Sequence, residues 1–120
     1  MLVVDDESLI RWSLSETLSE CGHLVSEAGD GESALRTLTA GPLPFDVVLL
    51  DYHLPDSHDL ALLSSIRQMA PNTAVIMMTA FSTPEMVDAA RRIGAYRLLA
   101  KPFNVHDMVD LVLEAHASGR

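Results

Sequence analysis

The sequence predicts an α/β fold in which five parallel strands alternate with five helices that cover both faces of the sheet. Three observations carry the prediction. Short apolar runs and stretches of helical period alternate from one end of the 120 residues to the other. Two of the runs, "VVLL" (47–50) and "AVIMM" (74–78), are apolar throughout, as strands buried on both faces require. Several runs also close on a polar residue, at the strand ends where open α/β sheets keep their ligands.

"MLVV" (1–4) is the first strand, and "SLIRWSLSETLSEC" (8–21) the first helix, with Ile10, Leu14, Leu18 and Cys21 facing inward and Gly22 ending it. "HLVSEA" (23–28) reads as a half-buried strand. "DGESALRTL" (30–38) reads as a short helix that Asp30-Gly31 starts, with Ala34, Leu35 and Leu38 inward. After a "GPLP" loop (41–44) comes the third strand, ending at Asp51. "LALLSSIRQMA" (60–70) puts Leu62, Leu63, Ile66 and Met69 on one helical face before Pro71-Asn72. The fourth strand (74–79) ends at Thr79, and "STPEMVDAARRIG" (82–94) carries a capping-box pattern, Ser82 to Glu85, with Pro84 early and Gly94 last. "YRLLA" (96–100) is the fifth strand, and "NVHDMVDLVLEA" (104–115) a helix burying Met108, Leu111, Val112 and Ala115.

With no repeat or linker in the pattern, residues 1–120 are expected to form a single domain. A formal charge of −9 disfavours a polyanion, whether nucleic acid or anionic membrane, as direct partner. No apolar run approaches the ~20 residues of a membrane span, so the cytoplasm is the expected compartment. Cys21 is the only cysteine, which excludes an internal disulfide and a thiolate metal cage.

The residues that follow the strands make the candidate site: Asp5-Asp6-Glu7, Asp51, Thr79 and Lys101-Pro102. In the strand order 2-1-3-4-5, the first and third strands are neighbours. Asp5, Asp6 and Asp51 then converge, flanked by Thr79 and Lys101. Crowded carboxylates raise one another's proton affinity. Lys101 offsets one charge, and a divalent cation would offset the others. Few carboxylates in an all-oxygen site suit Mg²⁺.

"VVDDE", "LLDYHLP", "MMTAF" and "AKPF", in this order and spacing, resemble the receiver domain of two-component response regulators over essentially the whole chain. The wording of "VVDDESLIRWSL" and "MTAFSTPEMVDAARRIGA" is similar to receivers of nitrogen-regulatory type. Those activate transcription through an AAA+ ATPase and a DNA-binding helix-turn-helix. Neither module lies in these residues, so the chain is expected to be one domain of a longer regulator. The resemblance implies a flavodoxin-like sheet of order 2-1-3-4-5 and a switch that accepts a phosphoryl group on Asp51 from a sensor histidine kinase. Asp6, Asp51 and the His53 carbonyl would hold Mg²⁺ directly, and Asp5 would hold it through water. Thr79 and Lys101 would each bind a phosphoryl oxygen. Thr79 would move inward past small Ala80, rebiasing the last two helices and last strand, which carry Arg91, Arg92 and Arg97 as a dimer or output surface. The chain would be no enzyme beyond its own phosphoryl transfer and autodephosphorylation. Glu7 receives no role.

Three positions depart from the family pattern. Leu98 stands where receivers commonly carry an aromatic, with Tyr96 expected on the same side of the strand. His58-Asp59 replaces the usual aspartate-glycine turn, which predicts an altered loop. His53 is placed to tune autodephosphorylation. The rival readings fit less well. A flavodoxin-like cofactor binder needs a Ser/Thr/Gly-rich phosphate loop where Asp5-Asp6-Glu7 stand. An aspartyl-phosphate hydrolase needs a second acid at His53. An interaction module acting without phosphorylation needs none of the five residues that are all present.

Overall fold

Two edges and three central strands build the sheet. The computed structural model describes residues 1–40, 45–56, 60–80 and 82–118; the expected loop at 41–44 and the His58-Asp59 turn lie outside these. Among the described residues, chain order is β1 (Leu2–Val4), α1 (Ser8–Glu20), β2 (Ser26–Ala28), α2 (Gly31–Ala40), β3 (Val47–Asp51), α3 (Ala61–Met69), β4 (Ala74–Thr79), α4 (Pro84–Ile93), β5 (Arg97–Ala100) and α5 (Val105–Ser118). All pairings are parallel and the order is β2-β1-β3-β4-β5, as the sequence predicts. No helix among these residues is long and apolar enough to cross a membrane.

Strand alternation divides the core in two. Leu2, Val4, Val48, Leu50, Val75 and Met77 point to the face covered by α2, α3 and α4, where Ala34, Leu62, Leu63, Ile66 and Ala90 meet them. Val3, Val47, Leu49, Ile76 and Met78 point to the opposite face, against Leu14 and Leu18 of α1 and Met108, Val112 and Ala115 of α5. Burying each Leu or Ile of this kind stabilises the fold by about 1.5–3 kcal/mol. Both faces of the central strands being covered, their sequences carry no polar alternation.

Helix starts follow from local chemistry. Asp30 caps α2 by accepting the Ser33 N–H at 2.7 Å, a bond that holds its carboxyl below the usual range. Asp56 reaches the same helix end, taking the Gly31 N–H at 2.7 Å and the Glu32 N–H at 3.0 Å. A Cβ at Gly31 would lie 3.1 Å from that carboxylate and 3.2 Å from Leu62, so glycine permits the approach. At α4 the cap is Thr83, whose Oγ1 accepts the Met86 N–H at 3.2 Å, and not the expected Ser82. Pro84 explains the difference: it drives the residue before it into the extended conformation that an N-cap needs (φ −113°, ψ 158°). At the other end Gly94 takes φ +123°.

Several expected inward positions are corrected. Cys21 is exposed and Met69 is 44 % exposed. Each stands at the end of its helix, where the apolar period runs on but the helix does not. Ile10 and Leu111 are only partly buried. The second strand is shorter than "HLVSEA", because its register opens with Ser26 opposite Leu2; Leu24, ahead of it, is 91 % exposed. Tyr96 and Leu98 do not share a side. Leu98 packs on the α2–α4 face, and Tyr96 on the α1/α5 face with its hydroxyl donating to Glu114 at 3.1 Å. The strand begins at Arg97, so Tyr96 precedes the pleat that alternation assumes.

Candidate functional site

The carboxyl ends of β1, β3, β4 and β5 converge at one edge of the sheet. Asp5 follows β1 directly and is fully buried. Its N–H donates to the Ala28 carbonyl at 3.1 Å, its Oδ1 accepts the Glu7 N–H at 2.9 Å, and its carbonyl accepts Arg11 Nη1 at 2.6 Å. Arg11 also donates from Nε to Glu27 Oε1 at 3.1 Å, tying α1 to the end of β1 and to the edge strand β2. Asp51, the last residue of β3, is 4 % exposed and accepts the His53 N–H at 3.2 Å. Parallel pairing of β1 with β3 sets these two acids side by side.

Oxygens of Asp5, Asp6 and Asp51 all lie within 4.8 Å of one another, with Asp6 exposed and the other two buried. Lys101 arrives from the end of β5. Its Nζ stands 2.9 Å from Asp5 Oδ2, 3.2 Å from Asp51 Oδ2 and 3.2 Å from Glu7 Oε1. A cavity of about 350 Å³ opens over the group, walled by Asp6, Asp51, His53, Leu54, Ala80 and Lys101. Thr79 is buried at the end of β4, one register position beyond the Met78 that faces Asp51. Its carbonyl accepts the Lys101 N–H at 2.7 Å, which locks the ends of β4 and β5 together.

The charges are unbalanced. Burial pushes the Asp51 carboxyl up from 3.8 to about 6; the Asp5 charge adds to the rise, and Lys101 and the His53 N–H oppose it only in part. Burial also works against the Lys101 ammonium, but its hydrogen bond to Asp5 and the charges of Asp5 and Asp51 outweigh that and hold it above its ordinary value. Three converging carboxylates served by one lysine fit a small hard dication that retains part of its water shell.

The structure thus brings together Asp5, Asp6, Asp51 and Lys101, with His53 at the cavity wall and Thr79 buried beside it. Two residues have contacts that the sequence did not assign: Glu7, given no role there, contacts Lys101, and Arg11, not foreseen as part of the site, holds the Asp5 backbone. A cation one helical turn beyond three consecutive acids was the available signal for Arg11. On the far face, Arg91 and Arg92 are exposed, whereas Arg97 pairs with Glu114 at 3.6 Å and lies over the Tyr96 ring.

Comparison with known proteins bears on the family and the fold. The family model of the response regulator receiver domain matches residues 1–113. The transcriptional regulatory protein PdtaR of Mycobacterium tuberculosis is 37 % identical over 115 residues, covering 93 % of this chain and 54 % of that protein. The DNA-binding transcriptional regulator NtrC of Escherichia coli is 40 % identical over 113 residues, 94 % of this chain and 24 % of NtrC. The chain therefore spans about half the length of the first relative and a quarter of the second. Among solved structures, the receiver domain of NtrX from Brucella abortus superposes with a TM-score of 0.84 at 34 % identity over 97 % of both chains. A CheY-like receiver domain protein from Methanospirillum hungatei gives 0.91 at 26 % identity over 98 % of this chain and 93 % of that one.

Proposed function

The chain belongs to the response regulator receiver domains of two-component signalling, of the kind found in NtrC and NtrX, and from that membership we propose that it is switched by phosphorylation of Asp51. One observation supports this most: a buried strand-end carboxylate within 4.8 Å of two others and 3.2 Å from a lysine ammonium, under an open cavity.

Asp51 has the state a nucleophile needs. A carboxyl at about 6 remains roughly nine-tenths ionised at pH 7. The donor is a phosphohistidine of a sensor kinase. The Asp51 oxygen forms the new O–P bond as the N–P bond of the donor breaks, and the leaving imidazole takes up a proton. Lys101, whose Nζ already lies beside Asp51, neutralises one oxygen of the transferred group. Thr79 supplies a hydroxyl to another. Asp6, Asp51 and the His53 carbonyl would hold Mg²⁺, with Asp5 through water, and the bound ion would supply positive charge against the phosphoryl oxygens. The product, an acyl phosphate, is reactive toward water, so the mark is transient.

Transmission starts with Thr79. As its side chain turns toward the phosphoryl group, Ala80 leaves room, and α4, β5 and α5 shift between two packings. That face then meets an output domain or a second copy of the chain, and in a longer regulator the consequence is control of transcription. Residues 1–120 act as one domain, in the cytoplasm, without touching nucleic acid themselves.

The test is phosphoryl uptake from a histidine kinase or acetyl phosphate with Mg²⁺, read by intact mass. Wild type gains one phosphoryl group and loses it over time, and Asp51→Asn gains none. Equal labelling of both proteins refutes the assignment.

A further inference from the structure

We infer that Glu7 is a positioning residue for Lys101: with Asp5 it fixes two of the three ammonium protons, so that the third is aimed at the oxygen where the phosphoryl group arrives. The inference rests on the reading above that Asp51 takes that group.

An ammonium has three donors and no acceptor. At Lys101 two are given to Asp5 Oδ2 at 2.9 Å and Glu7 Oε1 at 3.2 Å, and the ammonium pairs with Asp51 Oδ2, 3.2 Å away, on the side left to the third. One anchor leaves the –NH₃⁺ group free to swing about it; two anchors on different oxygens set the direction of the third N–H. Only the Asp51 partner changes when that carboxylate becomes an acyl phosphate, and the third N–H then turns to a phosphoryl oxygen.

Glu7 behaves as if kept for this contact. It stands at the N-cap of α1, where a short acid would turn back onto its own helix, yet its side chain makes no cap bond. It reaches instead across 94 residues of sequence to Lys101. The Glu7 side chain is 58 % exposed whereas that of Lys101 is 11 % exposed. An ion pair with so exposed a partner adds little to stability. Its consequence is orientation.

Three variants separate reach from charge. Glu7→Asp keeps the charge but is one methylene too short; Glu7→Gln keeps the reach and an accepting oxygen but has no charge; Glu7→Ala has neither. Each is compared with wild type for the rate of Mg²⁺-dependent phosphorylation at saturating acetyl phosphate, and for the NMR signal of the Lys101 ammonium without donor. Positioning predicts that Asp and Ala slow the saturated rate about tenfold, the size of one lost charge-assisted hydrogen bond, without raising the half-saturating donor concentration. It also predicts that both lose the ordered Lys101 signal, whereas Gln keeps most of the rate and the signal. Thermal melting checks that all three fold. If Gln falls with Ala while Asp matches wild type, charge alone matters and the inference is overturned. It is equally overturned if Ala is as fast as wild type or faster. A wild type that takes up no phosphoryl group refutes the proposed function itself, and the Glu7 inference with it.

Discussion

Replacing Asp51 with Asn should make the protein more stable, and by an amount that depends on pH in a defined direction. The Asp51 carboxyl is raised from 3.8 to about 6, burial being the main cause and the Asp5 charge the next. Between those two values the folded state holds a proton that the unfolded state has already lost, so stability falls as pH rises through this window. A rise of about two units at about 1.4 kcal/mol each puts the cost near 3 kcal/mol at pH 7.5, and near half that at pH 5. Asparagine copies the uncharged carboxyl in shape and removes the cost. For a domain of this size the gain corresponds to a melting temperature higher by roughly 10 °C at pH 7.5. The assay is urea unfolding of both proteins without divalent cations at pH 5, 6 and 7.5. Mg²⁺ should then narrow the difference by stabilising wild type more. An Asn variant less stable than wild type at pH 7.5, or a gain that does not shrink toward pH 5, would refute the account of the acid pocket.

Arg11→Met retains length and loses the bonds to the Asp5 carbonyl and Glu27; equilibrium unfolding should register a loss of about 1–2 kcal/mol at pH 7. Gly94→Ala places a Cβ at φ +123°, 2.7 Å from Arg67 Nε, and denaturant midpoints should fall by an amount equivalent to about 1–3 kcal/mol. His23 is held below its ordinary value by burial, then by the charges of His116 and the amino terminus, with Asp46 opposing. Stability should therefore be lost as pH drops below about 6.5, and His23→Gln should flatten that part of the unfolding profile. Leu98→Tyr adds a ring and a hydroxyl on the α4 side of β5; NMR shifts of β5 on phosphorylation should change more than the phosphorylation rate.

What was legible in the sequence is what period and punctuation encode. Runs such as "VVLL" and "AVIMM", too short for helices and bounded by turn residues, suit strands covered on both faces, and once β1 pairs in parallel with β3 Asp5 and Asp51 are neighbours. Less legible were matters of one residue. Thr83 caps α4 because the proline behind it dictates its backbone, a local rule that outweighs the Ser82 to Glu85 pattern. Tyr96 escapes the alternation because β5 starts after it. Least legible were long side chains reaching across the site. Glu7 and Arg11 carry no periodic signal that names Lys101 or the Asp5 carbonyl as partner, since those contacts exist only after the sheet has closed.

Asp51 is where the demands of the sheet and of the chemistry collide. A core strand end excludes water, which raises the cost of a carboxylate there and also strengthens its attraction to Lys101. Phosphorylation of Asp51, as proposed, would change the account of that charge. The buried oxygen would become part of a neutral acyl group, and the negative charge would move outward onto phosphoryl oxygens in the cavity, within reach of Lys101. A cost near 3 kcal/mol, if fully released into a two-state equilibrium, is worth a bias on the order of 100-fold. Asparagine releases the same cost but offers Lys101 and Thr79 nothing to draw toward. Relief of the buried charge alone would make Asp51→Asn signal without phosphate. Capture of the phosphoryl oxygens leaves it stable and silent, and the three-way anchoring of Lys101 favours capture.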